Sequence, residues 1–187
     1  MMVLMTEITL KIFLGGILIM ATFTDIRWQR IPNILTYPSM VFALIFHVQG
    51  SGLHGLVFSL SGLALGLAFF MLPYLMGGMG AGDVKLLGAV GAALGAKGVF
   101  VAALCTALVG GLYAAVLIII KYRDCKGLIA RYATTLKIFA ASGELYTIPA
   151  AEDEKQPKLC YGVAIALGTL IAVYLKTTGT SLMGLLP

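Results

Sequence analysis

The chain has 187 residues, 60% of them hydrophobic and 11% charged, with a mean hydropathy of +0.99. A soluble domain carries about 25% charged and roughly 45–50% apolar residues, so the composition excludes a soluble fold and implies an all-α integral membrane protein, a polytopic helical bundle in one domain over residues 1–187. The net charge of +5 sits in Lys and Arg beside apolar segments, where it orients a membrane protein, and no RNA- or DNA-binding motif goes with it; the lipid bilayer is the expected partner and nucleic acid is not.

In chain order, six apolar runs are candidate spans: Ile8 to Thr24, Ile34 to Val48, Leu56 to Met76, Val84 to Leu94, Val99 to Ile120 and Leu159 to Leu175. A crossing needs about 17–25 residues. The first run lacks the basic flank and small-residue cleavage site of a signal peptide, so it is expected to be retained. The fourth is short and is separated from the fifth only by Gly95-Ala96-Lys97-Gly98. It fits either a short helix that begins inside the protein or a span that runs on through Gly95. Six crossings with the N-terminus outside put ten of the thirteen Lys and Arg inside, leaving Lys11, Lys97 and Lys176 outside, as the positive-inside tendency requires. Glycines at four-residue spacing, Gly62 with Gly66 and Gly91 with Gly95, predict closely packed helix backbones.

Between the fifth and sixth runs, Leu128, Tyr132, Leu136 and Phe139 recur at helical spacing, with Lys126, Arg131 and Lys137 elsewhere on the wheel. This predicts an amphipathic helix on the cytoplasmic leaflet within 121–158, and Glu152-Asp153-Glu154 reads as a solvated linker. Cys105, Cys125 and Cys160 are isolated, and His47 and His54 have no further ligand-type residue beside them, so neither a metal nor any other cofactor is expected.

Two acids lie against apolar segments: Asp25, in Thr24-Asp25-Ile26-Arg27 ahead of Ile31-Pro32-Asn33, and Asp83, in Gly80-Ala81-Gly82-Asp83-Val84-Lys85. An acid at a membrane edge is expensive to keep and needs partners or a function. With six spans both fall at the cytoplasmic face. Two carboxylates within a few ångström cannot both stay charged, and such a pair can activate water: one takes its proton while the other hydrogen-bonds a scissile carbonyl. No G-x-S-x-G or comparable nucleophile setting competes with them. Gly80 and Gly82 give the loop backbone freedom and let a peptide approach the main chain. The plainer readings are that Asp83 caps the fourth helix and Asp25 a turn before Pro32, that Arg27, Arg30 and Lys85 are positive-inside anchors, and that Asn33 caps the second span.

Gly80-Ala81-Gly82-Asp83 followed by Val84-Lys85-Leu86-Leu87, and Asp25-x-Arg27 followed by Ile31-Pro32-Asn33, resemble the paired signatures of the type IV prepilin peptidases, the GxGD class of membrane aspartic proteases. Tyr161-Gly162 and the residues after it are similar to the family's last span, with Cys160 standing where a proline is usual. The resemblance implies that Asp25 and Asp83 are the catalytic pair, supported by Gly80, Gly82, Lys85, Arg27, Pro32 and Asn33. The substrate it implies is a prepilin or pseudopilin-like precursor, cut after its short basic leader at the cytoplasmic face of the inner membrane. Larger members methylate the new N-terminus with a cytoplasmic domain bearing two C-x-x-C pairs; the chain shows neither, so peptidase without methyltransferase activity is expected, as in the short enzymes of tight-adherence (Flp-type) pilus systems. Presenilin-like intramembrane proteases share the GxGD logic but pair it with a mid-membrane tyrosine-aspartate motif, unlike Thr24-Asp25. A proton- or cation-translocating subunit would instead spread its acids along a path between the two faces.

Overall fold

The computed structural model describes residues 2–76, 78–120, 133–135, 137–138 and 160–177. Four helices organise them: α1 (Met2–Trp28), α2 (Asn33–Leu75), α3 (Ala81–Ile120) and α4 (Tyr161–Thr177). Three stretches, Ile8–Trp28, Asn33–Leu75 and Ala81–Leu117, are long and apolar enough to cross a membrane, and Tyr161–Thr177 is a shorter apolar helix.

At 43 and 40 residues, α2 and α3 would each reach about 60 Å if straight, twice the hydrocarbon thickness of a bilayer. Each is broken by a glycine in a conformation that L side chains rarely adopt: Gly52 (φ 57°, ψ −133°) and Gly95 (φ 75°, ψ 175°). The chain doubles back at both. Residues 47 and 59 would stand about 18 Å apart on one helix. Yet His47 Nε2 meets the Ala93 carbonyl at 3.0 Å and Ser59 Oγ donates to the adjacent Ala92 carbonyl at 2.7 Å. Likewise Phe100, five residues past Gly95, packs edge-on against Phe69 at 5.6 Å, although Gly62, seven residues before Phe69, is level with Gly91 and Gly95.

Six helical legs result: α1, residues 33–51 and 53–75 of α2, 81–94 and 96–120 of α3, and α4. The leg 81–94 runs alongside 33–51 in the same direction, pairing Asn33 with Lys85, Met40 with Gly88 and His47 with Ala93. It runs opposite to 53–75, pairing Ser59 with Ala92, Gly62 with Gly91 and Gly66 with Leu87. The last helix opposes 96–120 through Gly168 against Thr106, and opposes α1 through Gly162 against Asp25. The end of α1 and the starts of α2, α3 and α4 therefore gather at one end of the bundle.

Of the two arrangements open for the fourth apolar run, the structure shows the short one. Its leg is the core of the molecule, with Leu86, Leu87, Val90 and Ala92 all almost fully buried. Small residues make this possible. A Cβ on Gly62 would run into the Gly91 carbonyl and one on Gly91 into the Gly62 carbonyl, so the two backbones touch as the four-residue glycine spacing predicts.

Helix ends differ from the sequence-based boundaries in ways that matter at the site. The first helix runs on past Thr24 to Trp28, so Asp25 lies in its last turn. The third begins at Ala81, which puts Asp83 inside its first turn. The amphipathic stretch and acidic trio expected in 121–158 lie outside the described residues, apart from 133–135 and 137–138.

Candidate active site

Asp25 is held by the fold from both sides of its own residue. Its carbonyl accepts the Gln29 amide at 2.8 Å, and Gln29 turns left-handed (φ 51°) to end α1. Its carboxylate Oδ2 accepts the Gly162 amide at 2.8 Å, a partner 137 residues away in sequence. Gly162 is in the first turn of α4, where unpaired N–H groups and the helix dipole favour an anion. The approach needs glycine: a Cβ at residue 162 would sit 2.9 Å from Oδ2 and 3.1 Å from the Asp25 Cβ. Asp25 is only 5% exposed. The carboxylate therefore does not cap a turn before Pro32; it joins α1 to α4.

Asp83 does cap its helix, but not as the residue preceding it. Gly80 precedes α3, and Asp83 reaches back from the first turn so that its Oδ2 accepts the Gly80 amide at 3.3 Å while its own amide donates to the Gly80 carbonyl at 3.1 Å. The first bond is the N3 half of a capping box; glycine has no side chain to supply the other half, and the second bond is a backbone turn. That first bond occupies one carboxylate oxygen. The other, Oδ1, is buried and has no hydrogen-bond partner among the described residues, in a residue only 8% exposed. A buried unpartnered carboxylate oxygen is costly and marks a position kept for something other than stability.

Both acids open into one cavity of about 300 Å³, shared with Arg30, Asn33, Gly80, Gly82 and Lys85. The Asp25 charge acts on Asp83 through space. The start of α3 touches the link between α1 and α2: a Cβ at Gly82 would lie 3.0 Å from the Ile31 Cβ and 3.1 Å from its carbonyl. Cys160, just ahead of α4, lies within electrostatic reach of both carboxylates.

The remaining sequence-predicted residues divide. Lys85 Nζ donates to Asn33 Oδ1 at 2.8 Å and lies 4.9 Å from the centre of the Tyr37 ring, tying the start of α3 to the start of α2 beside the cavity. Asn33 therefore does not cap α2 with its side chain; Pro32 holds the capping position without a side-chain bond, and Asn33 is the first helical residue. Arg27 points away, its guanidinium 5.9 Å from the Trp28 ring. Arg30, read from sequence only as an anchor, lines the cavity, and so does Gln29. Gly162 was visible in sequence as part of a Tyr-Gly run, but nothing local tied it to Asp25. Among the described residues no three His, Cys, Asp or Glu side chains stand together as a metal site.

Two buried carboxylates facing a common cavity, with one oxygen uncommitted, are equipped to hold a water against a peptide carbonyl and to move its proton. No solved structure gives a significant match to the chain. The chain is 35% identical over 123 residues to the prepilin leader peptidase/N-methyltransferase of Neisseria gonorrhoeae, a stretch that makes up 60% of this chain and 43% of that relative. Residues 12–115 match the model of the type IV leader peptidase family, a span that takes in both Asp25 and Asp83 and more than half of the sequence; the chain belongs to that family.

Proposed function

We propose that the protein is an aspartic endopeptidase that removes the short basic leader of type IV prepilin-like precursors, with Asp25 and Asp83 as its catalytic pair. The observation that carries this reading is the shared cavity of the two acids, in which the Asp83 Oδ1 has no hydrogen-bond partner among the described residues. In the reaction the ionised member of the pair takes a proton from water as the water oxygen bonds to the scissile carbonyl carbon. The neutral member hydrogen-bonds the carbonyl oxygen and passes it its proton. Collapse of the tetrahedral intermediate returns that proton, breaks the C–N bond and sends the proton taken from water to the departing amine. The leader leaves with a carboxyl end and the pilin with a free N-terminus. The pair titrates as a unit, so the ionised and neutral roles belong to the dyad.

The six legs are six membrane crossings, with the N-terminus outside and the aspartate end of the bundle at the cytoplasmic face of the inner membrane. The common end of Asp25 and Asp83 supports this, and so do Arg30 and Lys85 beside them. The Neisseria relative's name couples leader cleavage to N-methylation; for this chain only the peptidase is proposed.

The test is processing of a co-expressed prepilin-like substrate in membranes, read as a leader-sized mobility shift. Asp25→Ala and Asp83→Ala are each expected to lower the cleavage rate by about 10³-fold or more at unchanged protein level. Wild-type processing by either variant overturns the assignment.

A further inference from the structure

Two cations, Lys85 and Arg30, line the aspartate cavity, yet among the described residues no ion pair joins either of them to Asp25 or Asp83. The helix keeps Lys85 and Asp83 apart: they are two residues apart at the start of α3, and such positions do not face each other. Lys85 is held instead by neutral groups, its Nζ donating to Asn33 Oδ1 at 2.8 Å and lying 4.9 Å from the centre of the Tyr37 ring. An ammonium has three N–H donors, so two remain beyond the Asn33 bond. An amide oxygen and a ring face orient the charge without cancelling it. Lys85 is half-buried, and Arg30 is exposed on the link that follows α1.

We propose that Lys85, with Arg30, forms a subsite for the new C-terminal carboxylate of the cleaved leader, and that the leader is therefore a product inhibitor. The inference rests on the leader-peptidase reading for the source of that peptide. Hydrolysis turns a neutral amide into an ammonium and a carboxylate, whose ordinary pKa of about 3.3–3.7 leaves it ionised at neutral pH. The new anion arises beside two acids already in one cavity, where a further negative charge is disfavoured. Cations lining the same space with no carboxylate of their own offset it. The uncleaved peptide bond carries no charge, so the contact grows as the bond breaks and persists in the product. It slows release of the leader.

The test reads binding without cleavage. The full chain in mild detergent is titrated into a short basic peptide, fluorescent at its N-terminus, that ends in a free carboxylate, and into the same peptide ending in a carboxamide; anisotropy reports binding. The carboxylate form is expected to bind about tenfold more tightly, the scale of one charge-assisted hydrogen bond. Lys85→Gln keeps a donor for Asn33 and removes the charge, and is expected to abolish most of that ratio. Lys85→Arg keeps part of it, and Arg30→Gln lowers it. A purely structural role for Lys85 would weaken both peptides alike, so an unchanged ratio in Lys85→Gln overturns the proposal. Equal binding of the two peptides by the native chain overturns it too. A carboxamide peptide with a glutamate side chain is expected to bind as weakly as the plain carboxamide. If it matches the free carboxylate, the subsite belongs to an acidic side chain and the assignment to a chain end falls. Cleavage that survives loss of Asp25 or Asp83 overturns the aspartate reading by a separate measurement, and the carboxylate-to-carboxamide ratio still decides this one.

Discussion

A single hydrogen bond decides where Asp25 points. The Gly162 amide meets Oδ2 at 2.8 Å, and a methyl group at residue 162 would press on the carboxylate and its Cβ. Gly162→Ala is therefore expected to leave the protein folded in the membrane but to lower cleavage by about 10²-fold, the effect of an ångström-scale misplacement of a reacting group. Processing assays at matched protein level check it, and a wild-type rate would show that Asp25 needs no such restraint. Asp83 combines two roles that sequence reasoning sets against each other: one oxygen closes the first turn of α3 and the other stays uncommitted. The Asp83→Ala variant thus also removes a helix cap, worth about 1 kcal/mol. Asp83→Asn keeps an acceptor for the Gly80 amide and is expected to be just as inactive but better folded.

At the scale of elements, glycine decides which helices touch and where they reverse. Gly62 and Gly91 each fill the space that a side chain on the other would need, and the obstacle in each case is backbone, which moves less readily than a side chain. Gly62→Ala and Gly91→Ala are each expected to destabilise the bundle by about 1–3 kcal/mol, measured as a lowered unfolding midpoint in detergent. At Gly15, by contrast, a Cβ would meet nothing within 4 Å, so Gly15→Ala serves as a control that leaves the midpoint in place or raises it. The long apolar stretches Asn33–Leu75 and Ala81–Leu117 show why run length alone misleads: each is continuous helix except at one residue with positive φ.

For the whole molecule, the proposed topology puts the aspartate end of the bundle at the cytoplasmic face. In a chain whose native cysteines are replaced, Gln49→Cys at the reversal near Gly52 is expected to react with a membrane-impermeant maleimide added to intact spheroplasts. Met79→Cys beside the aspartate cavity should react only after the membrane is opened. The opposite pattern would invert the topology and remove cytoplasmic cleavage, while leaving the pairing of Asp25 with Asp83 untouched.

The membrane class, the six apolar runs and the two acids were all legible in the sequence, because hydropathy and short motifs are local properties that need no knowledge of the fold. The glycine spacings marked helices whose backbones would pack closely, and the structure pairs Gly62 with Gly91. The rest depended on how the helices are rotated about their axes and how far each continues. Only the tertiary structure brought the Gly162 amide to Asp25, set Asp83 inside the first turn of α3 and not ahead of it, gave Asn33 to Lys85, and turned Arg30 into the cavity and Arg27 out of it. Rotation is set by which small residues let backbones approach, summed over the whole bundle, so no window of sequence contains it.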